Sequence, residues 1–292
     1  MAIPFFGDAV DTPPVPSATV MLLRESAPDL EVLLVRRHGD AAVLGGVHVF
    51  PGGKLDASDQ QLADGLVDLA PDTCRQRLGE ADLDPARAQA LHLAALRETF
   101  EESGLLPGTQ ADAATLASLR ERTLAGETLG MAAAGLGLSL KLSILLPWSR
   151  WITPRRPSVS NKRFDTRFFV ALAPTDQDIV ACTRETTEAV WITPRAALER
   201  YWRGEIELAP PQIMSLAHLA RLGGVDAVMD HARSNLPILI EPEPFDNDGV
   251  RVICYPGDPA HSLPDPIWPG PTRLSYRNRR FEPEGGLEAL LG

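Results

Sequence analysis

An α/β fold, a three-layer α/β/α sandwich on a mixed β-sheet with helical insertions, is what the sequence predicts. Three observations lead there. Short β-rich runs alternate irregularly with helical ones. The best-defined helix, residues 85–103, follows an extended run that stops at Pro51-Gly52-Gly53. Finally, 44% of the 292 residues are hydrophobic, enough to fill a sizeable core.

The elements follow in order. Residues 17–24 (SATVMLLR) and 31–37 (EVLLVRR) are β-rich runs separated by Pro28-Asp29, the pattern of a hairpin. A third extended run covers 46–50. Residues 54–84 are mixed and acidic with weak helical signals, and Pro85 suits the first position of the next helix. That helix is rich in Ala, Leu, Arg and Glu, and Gly104 stops it. At about 100° per residue, Leu93, Leu96 and Phe100 fall on one side, with Glu98, Glu101 and Glu102 opposite, beside Leu91, Ala94 and Ala95. The expectation is one buried stripe and one carboxylate face, with small alanines leaving room for a ligand. Residues 111–141 read as one or two helices broken by Gly126, Gly130, Gly135 and Gly137. Runs 163–173 (RFDTRFFVALA) and 188–193 (EAVWIT) are strands, the second leading into a helix begun at Pro194; 211–221 and 225–233 are helical. From Pro237 on, ten of the 26 prolines fall in the last 56 residues, interleaved with 250–255, Trp268, Tyr276 and Phe281. The aromatics favour an extended arm laid over the body above a disordered tail. The expected organisation is a domain over 15–240, interrupted by an insertion at 54–84, with a Pro-rich C-terminal extension over 241–292 packed on it.

Composition excludes several classes. Twenty-eight Lys and Arg against 39 Asp and Glu give a net charge of −11, which argues against a nucleic-acid-binding face. An anionic substrate then needs local positive charge or a metal. Cys74, Cys182 and Cys254 are dispersed and odd in number, fitting neither a disulfide framework nor a zinc cluster, so a reducing, cytoplasmic setting is expected. Residues 1–16 lack the pattern of a signal peptide, and no stretch approaches the roughly 18 apolar residues of a membrane span.

Glu98, Glu101 and Glu102 stand at i, i+3 and i+4 and converge on one patch of helix. Like charges so placed repel one another unless something positive sits among them. A hard dication, Mg²⁺ or alternatively Mn²⁺, is the natural partner for oxygen ligands. Arg97, four residues before Glu101, can orient the carboxylates by charge-assisted hydrogen bonds. An acidic helix end alone reads as a solvated face; the order strand, Pro-Gly-Gly turn, helix favours a site.

Residues 97–105 resemble the second half of the Nudix box: Gly, five residues, Glu, seven residues, then Arg-Glu-apolar-x-Glu-Glu-x-Gly-apolar. Gly53 matches its opening glycine. The resemblance implies a Nudix-type sandwich and a metal-dependent hydrolase of diphosphate bonds, with Glu98, Glu101 and Glu102 as metal ligands, the Gly53 carbonyl assisting, and Arg97 in the catalytic motif. The sequence departs from the pattern at three points. Forty-four residues separate Gly53 from Arg97 where the box has 14, an insertion of 30; Gln89 stands at the first glutamate, and Thr99 at an apolar position. A long insert in the box is a property of the peroxisomal coenzyme A diphosphatase branch, which the segments HVFPGGKLDASD (48–59), WSRWITP (148–154), KRFDTRFFVALA (162–173) and LAPPQ (208–212) also resemble. The upstream coenzyme A signature is matched at Leu33, Leu34, Arg37, Gly46 and 50–53, with Val35, His38 and Ala42 departing from it. The C-terminus lacks a Ser-Lys-Leu address, so the branch's location is not carried over.

The resemblance makes Arg37 a substrate-binding residue. Arg155, Arg156, Lys162 and Arg163, the densest basic stretch, suit substrate phosphates, with a solvated loop as the alternative. The general base is one of Glu98, Glu102, Glu185 and Glu188. His48 reads as a structural histidine, Trp148 and Trp151 as core residues that could alternatively stack on a nucleobase, and Pro210-Pro211-Gln212 as a helix start shaping the pocket. The leading substrate is coenzyme A or an acyl-coenzyme A, cut to a 4′-phosphopantetheine fragment and adenosine 3′,5′-bisphosphate. NADH, ADP-ribose or another nucleoside diphosphate derivative is the alternative. A noncatalytic nucleotide-sensing domain is the third reading, against which the intact triad argues. The partner is a small nucleotide substrate, with neither nucleic acid nor membrane, and a homodimer is compatible.

Overall fold

A computed structural model describes residues 11–27, 29–39, 45–62, 65–156, 162–180 and 186–292. The chain begins with β1 (Val15–Ser26) and β2 (Asp29–Arg37), the expected hairpin, with Leu23 opposite Val32 and Ser26 opposite Asp29. Pro28 of its turn lies outside the described residues. The run at 46–50 shrinks to a two-residue strand, β3 (His48–Val49), followed by β4 (Gly52–Lys54). The insertion carries a 3-10 turn at Ala57–Gln60 and α1 (Pro71–Leu78), and then comes α2 (Pro85–Ser103). Next are α3 (Ala113–Leu124), α4 (Leu129–Gly135), β5 (Leu146–Ile152), β6 (Phe164–Leu172) and β7 (Thr186–Ile192). Three helices follow, α5 (Pro194–Trp202), α6 (Pro210–Leu222) and α7 (Val225–Ser234). Beyond them lie β8 (Ile238–Ile240), β9 (Glu243–Asn247), β10 (Val250–Cys254), β11 (Arg273–Arg277), β12 (Arg280–Glu282) and α8 (Gly286–Leu291).

Strands β3-β2-β1-β6-β5-β8 form the main sheet, with β4 beside β1 and β7 beside β2; it is mixed, since β1–β6 and β5–β8 are parallel and the rest antiparallel. Both faces are covered, so β1 reads as a continuous apolar run. Val20 and Leu22 enter one core with α1, α2, α3 and α4, while Met21 and Leu23 enter the other with α5, α6, α7 and the C-terminal segment. The predicted α/β sandwich is thus observed.

Helix α2 begins where expected, with the Asp84 carboxylate accepting from the Arg87 amide and Pro85 in the first turn, and it stops at Gly104, whose φ of 76° suits glycine. Its faces differ from the reading. Leu91, Ala94 and Ala95 are fully buried, because the helix is enclosed by β1, β4 and α1. The small alanines let neighbouring backbone approach; they do not open space for a ligand. Gln89, at the position of the lost glutamate, donates to the Leu69 carbonyl at 2.6 Å and ties the insertion to the helix. Glu80, also from the insertion, meets Arg150 and Arg167, which share Asp165, in a balanced network at 2.6–2.9 Å.

The C-terminal segment is more regular than an arm. Strands β9 to β12 form an antiparallel meander, and Ile253, Trp268, Leu274, Phe281, Leu290 and Leu291 complete the second core. Tyr201 Oη donates to the Phe281 carbonyl and accepts from its amide, at 2.9 and 2.8 Å. Among the described residues no helix is long and apolar enough to cross a membrane.

Candidate active site

The last two turns of α2 lie against β4, and glycine makes that contact. A Cβ on Gly53 would stand 2.3–2.6 Å from the Glu98 carboxylate, and one on Gly52 2.6 Å from the Ala18 carbonyl and the Thr19 side chain. The Gly52 amide donates to Glu102 Oε2 at 3.0 Å. Arg97 is the hub of the cluster. Its Nη1 meets Glu98 at 2.8 Å and Glu101 at 3.1 Å, its Nη2 donates to the Lys54 carbonyl at 2.9 Å, and Nε and Nη2 grip Asp59 at 2.8 and 2.9 Å.

Asp59 is a member of this site that the residue reading missed. It is almost wholly buried and also accepts from the Asp56 amide at 2.8 Å, closing a capping box over Asp56-Ala-Ser-Asp59. That spacing was the available signal. Burial by itself would lower the Arg97 pKa, but the Asp59 hydrogen bonds and the charges of Glu98, Asp59 and Glu101 outweigh it and hold the group above its ordinary value. Arg97 is therefore a permanent cation.

Glu98, Glu101, Glu102, Arg97 and Gly53, all singled out from sequence, are thus brought together. Among the described residues, however, no three His, Cys, Asp or Glu side chains are gathered into a metal-holding group. Arg97 draws Glu98 and Glu101 toward itself, while the Gly52 amide takes Glu102. The donor chemistry still suits a hard dication, since three carboxylates, Asp59, Glu98 and Glu101, surround the Arg97 guanidinium and a fourth, Glu102, is held by the Gly52 amide. Glu101, 42% exposed, is the one most open to an arriving ligand.

On the other side of β4 is a cleft of about 360 Å³. Its floor is Gly52, Gly53 and Lys54 with Ser17, Thr19, Thr166, Phe168 and Trp151, and the start of α6 (Pro210, Pro211 and Gln212) forms a wall, as expected of that segment. Arg37, Lys54 and Lys162 are its cations, of which Lys54 was not foreseen. Two buried polar atoms on its lining, Arg37 Nε and Gln212 Oε1, have no hydrogen-bond partner in the protein, so water or a ligand in the cleft can pair with them.

Other expected residues lie elsewhere. Arg163 is buried and donates to the carbonyls of Thr153 and Thr12, joining β5 to β6. Arg155 is largely exposed, 3.8 Å from Asp11. Neither lines the cleft. His48 is buried, with Nε2 3.9 Å from Glu188, and burial holds its pKa below the ordinary histidine value. Glu188 pairs across from Arg36 on the β2–β7 edge, and Glu185 lies outside the described residues. Trp148 packs on His218 and His231 in the core, whereas Trp151 belongs to the core and the cleft alike.

Comparison with known proteins bears on this arrangement. A family model described as the NUDT19 Nudix domain matches residues 9–219. The acyl-coenzyme A diphosphatase NUDT19 of Xenopus laevis is 26% identical over 275 residues, covering 79% of this chain and 71% of that protein. The protein of the same name from Gallus gallus is 26% identical over 301 residues, covering 85% and 76%. Among solved structures, a NUDIX hydrolase from Alicyclobacillus acidocaldarius superposes with a TM-score of 0.59 at 29% identity, covering 78% of this chain and 99% of that one.

Proposed function

We propose, from the premise that this chain belongs to the NUDT19 Nudix domain family, that it is a metal-dependent diphosphatase of coenzyme A or an acyl-coenzyme A. It is a Nudix hydrolase, acting on a phosphorus anhydride bond. The observation that carries the substrate reading is the position of β4. The Gly52–Gly53 strand has the carboxylate cluster on one side and a cleft with Arg37 and Lys54 on the other, so a diphosphate held by these cations at the β4 end of the cleft would lie one strand from the cluster. Two relatives named as acyl-coenzyme A diphosphatases support the choice of substrate.

In this reading Glu98, Glu101 and Glu102, with the Gly53 carbonyl, would hold Mg²⁺ or Mn²⁺. Such an ion, when bound, offsets phosphate charge and lowers the pKa of a coordinated water. Arg97, fixed by Asp59, sets the orientation of Glu98 and Glu101. Arg37 and Lys54 neutralise the diphosphate. Lys162, rather than Arg155 or Arg163, is the cation of its stretch that we assign to the substrate. The buried free thiols of Cys74 and Cys254 are consistent with a reducing, cytoplasmic setting.

The test is product analysis after incubation with Mg²⁺ and coenzyme A, an acyl-coenzyme A, NADH, ADP-ribose or nucleoside triphosphates. Adenosine 3′,5′-bisphosphate is the expected product, and Glu101→Gln and Glu102→Gln should lose activity by at least the roughly 10–100-fold typical of disturbed metal shells. Faster cleavage of NADH or ADP-ribose would move the substrate, and binding without any cleavage would make the domain a sensor. Wild-type rates in both glutamine variants would remove the metal assignment.

A further inference from the structure

The family match ends at residue 219, but the cleft does not: Pro242 and Ile253, both buried, line it from beyond β8. Their place relative to the carboxylates follows from strand register. Lys54 on β4 stands opposite Ser17 on β1, Ser17 beside Thr166 on β6, Thr166 opposite Trp151 on β5, and Trp151 beside Ile240 on β8. With strands about 4.8 Å apart, the row covers about 14 Å from Lys54 to Trp151 and about 19 Å to Ile240. Pro242 follows Ile240 by two residues, so the C-terminal segment closes the end of the cleft remote from Glu98 and Glu102.

The chemistry changes along this row. Arg37 and Lys54 are on β2 and β4, at the carboxylate side, and the exposed Lys162 precedes β6, whereas the lining that the C-terminal segment supplies, Pro242 and Ile253, is apolar. There Trp151 is flanked by Tyr255 and Trp268 of the C-terminal segment, with ring centroids 6.0 and 5.9 Å away. Its indole N–H is already given to Ser149 Oγ at 3.1 Å. Pro242 and Ile253 offer no side-chain donor or acceptor. A nucleobase at this end would leave polar edges unmatched, whereas a hydrocarbon chain would lose nothing.

We propose that the C-terminal segment builds a subsite for the acyl chain of a thioester substrate, with Ile253 and Pro242 setting the chain length that is accepted. The proposal rests on the diphosphatase reading above and adds to it that the acyl-bearing form, rather than free coenzyme A, fills the whole cleft. Residues that the family match leaves out thereby determine specificity.

Binding and turnover test the two separately. Dissociation constants for coenzyme A and its acetyl, butanoyl, octanoyl and dodecanoyl thioesters are measured calorimetrically on the full chain in EDTA, without hydrolysis. Wild type should bind longer chains more tightly, by up to about fourfold for each methylene buried, until the cleft is full. Ile253→Phe should lower the chain length at which affinity stops rising and Ile253→Ala should raise it, both leaving free coenzyme A unchanged. Pro242→Trp, at an independent position, should act like Ile253→Phe, and thermal melts identify any variant that has lost its fold. A flat profile in wild type overturns the proposal, as does an equal change for coenzyme A and every thioester in the folded variants. Weakened binding of adenosine 3′,5′-bisphosphate by Ile253→Phe would instead place the base at this end. Chain-length-dependent binding without cleavage on adding Mg²⁺ would leave the subsite standing and remove the diphosphatase reading; cleavage with a flat profile would do the reverse.

Discussion

At Gly53 a hydrogen atom stands where any side chain would enter the Glu98 carboxylate. Gly53→Ala is therefore expected to displace Glu98 and abolish most turnover while far-ultraviolet circular dichroism stays native; a fully active alanine variant would show that Glu98 has no fixed position to lose. Asp59 acts one step further out, through Arg97. Asp59→Asn leaves the shape but removes the charge that grips two guanidinium nitrogens, and kcat should fall about 10–100-fold, the usual cost of removing an orienting partner. Steady-state kinetics with unchanged kcat would show that Glu98 and Glu101 suffice to hold Arg97. The glutamates were legible because i, i+3, i+4 spacing puts side chains together whatever the rest of the chain does. Asp59 was not, since its partner lies 38 residues away and a buried pair between a loop and a helix leaves no periodic trace. Arg155 and Arg163 fall outside the cleft lining for the opposite reason: a run of basic residues shows charge density but not direction, and Arg163 is spent on backbone carbonyls while Arg155 extends into solvent.

Two helices carry imidazoles that the fold keeps neutral. His92 on α2, hydrogen-bonded to the Ala88 carbonyl at 2.8 Å, and His218 on α6 are both lowered from 6.5 to about 4, chiefly by burial. The unfolded chain takes up these protons near pH 6.5, whereas the native state refuses them down to about pH 4. Their contribution is thus complete above pH 6.5 and is lost as pH falls from there toward 4, at about 1.4 kcal/mol per pH unit for each proton. Urea midpoints between pH 7.5 and 4.5 should show this slope, and His92→Gln should reduce it; an unaltered slope would mean that His92 is accessible. Element boundaries on α2 were legible from Pro85 and Gly104. Its enclosure was not, because the insertion that supplies α1 carries only weak helical signals. Strand β5 escaped notice because a bulge between Pro147 and Ser149 breaks its alternation. The meander hid among prolines, although Asp248-Gly249, both at positive φ, is a hairpin turn that the sequence displays. Its counterpart, Asn278-Arg279, puts an arginine at φ 65°, which composition does not suggest.

Across the whole molecule, the second core draws residues from Met21 to Leu291, so the C-terminal segment is structural as well as part of the cleft. A chain cut after residue 237 should bind a hydrophobic dye and lose its cooperative thermal transition, since it would uncover the partners of Trp268, Leu274 and Phe281 and leave the Tyr201 hydroxyl unpaired. A truncated protein with a sharp melt near that of the full chain would refute this. Resemblance made 17–220 readable as a whole, whereas the rest had to be judged by its composition, which resembles that of a tail. The parallel pairing of β8 with β5 also has a consequence for how the protein is made. The outer edge of β5 gains its neighbour only after 86 further residues leave the ribosome, a delay of roughly 4–17 s at about 5–20 residues per second. Throughout that interval each nascent chain presents a bare strand beside two tryptophans. Crowded polysomes would therefore favour pairing between neighbouring nascent copies, and a chaperone that shields the edge would raise the yield of native enzyme.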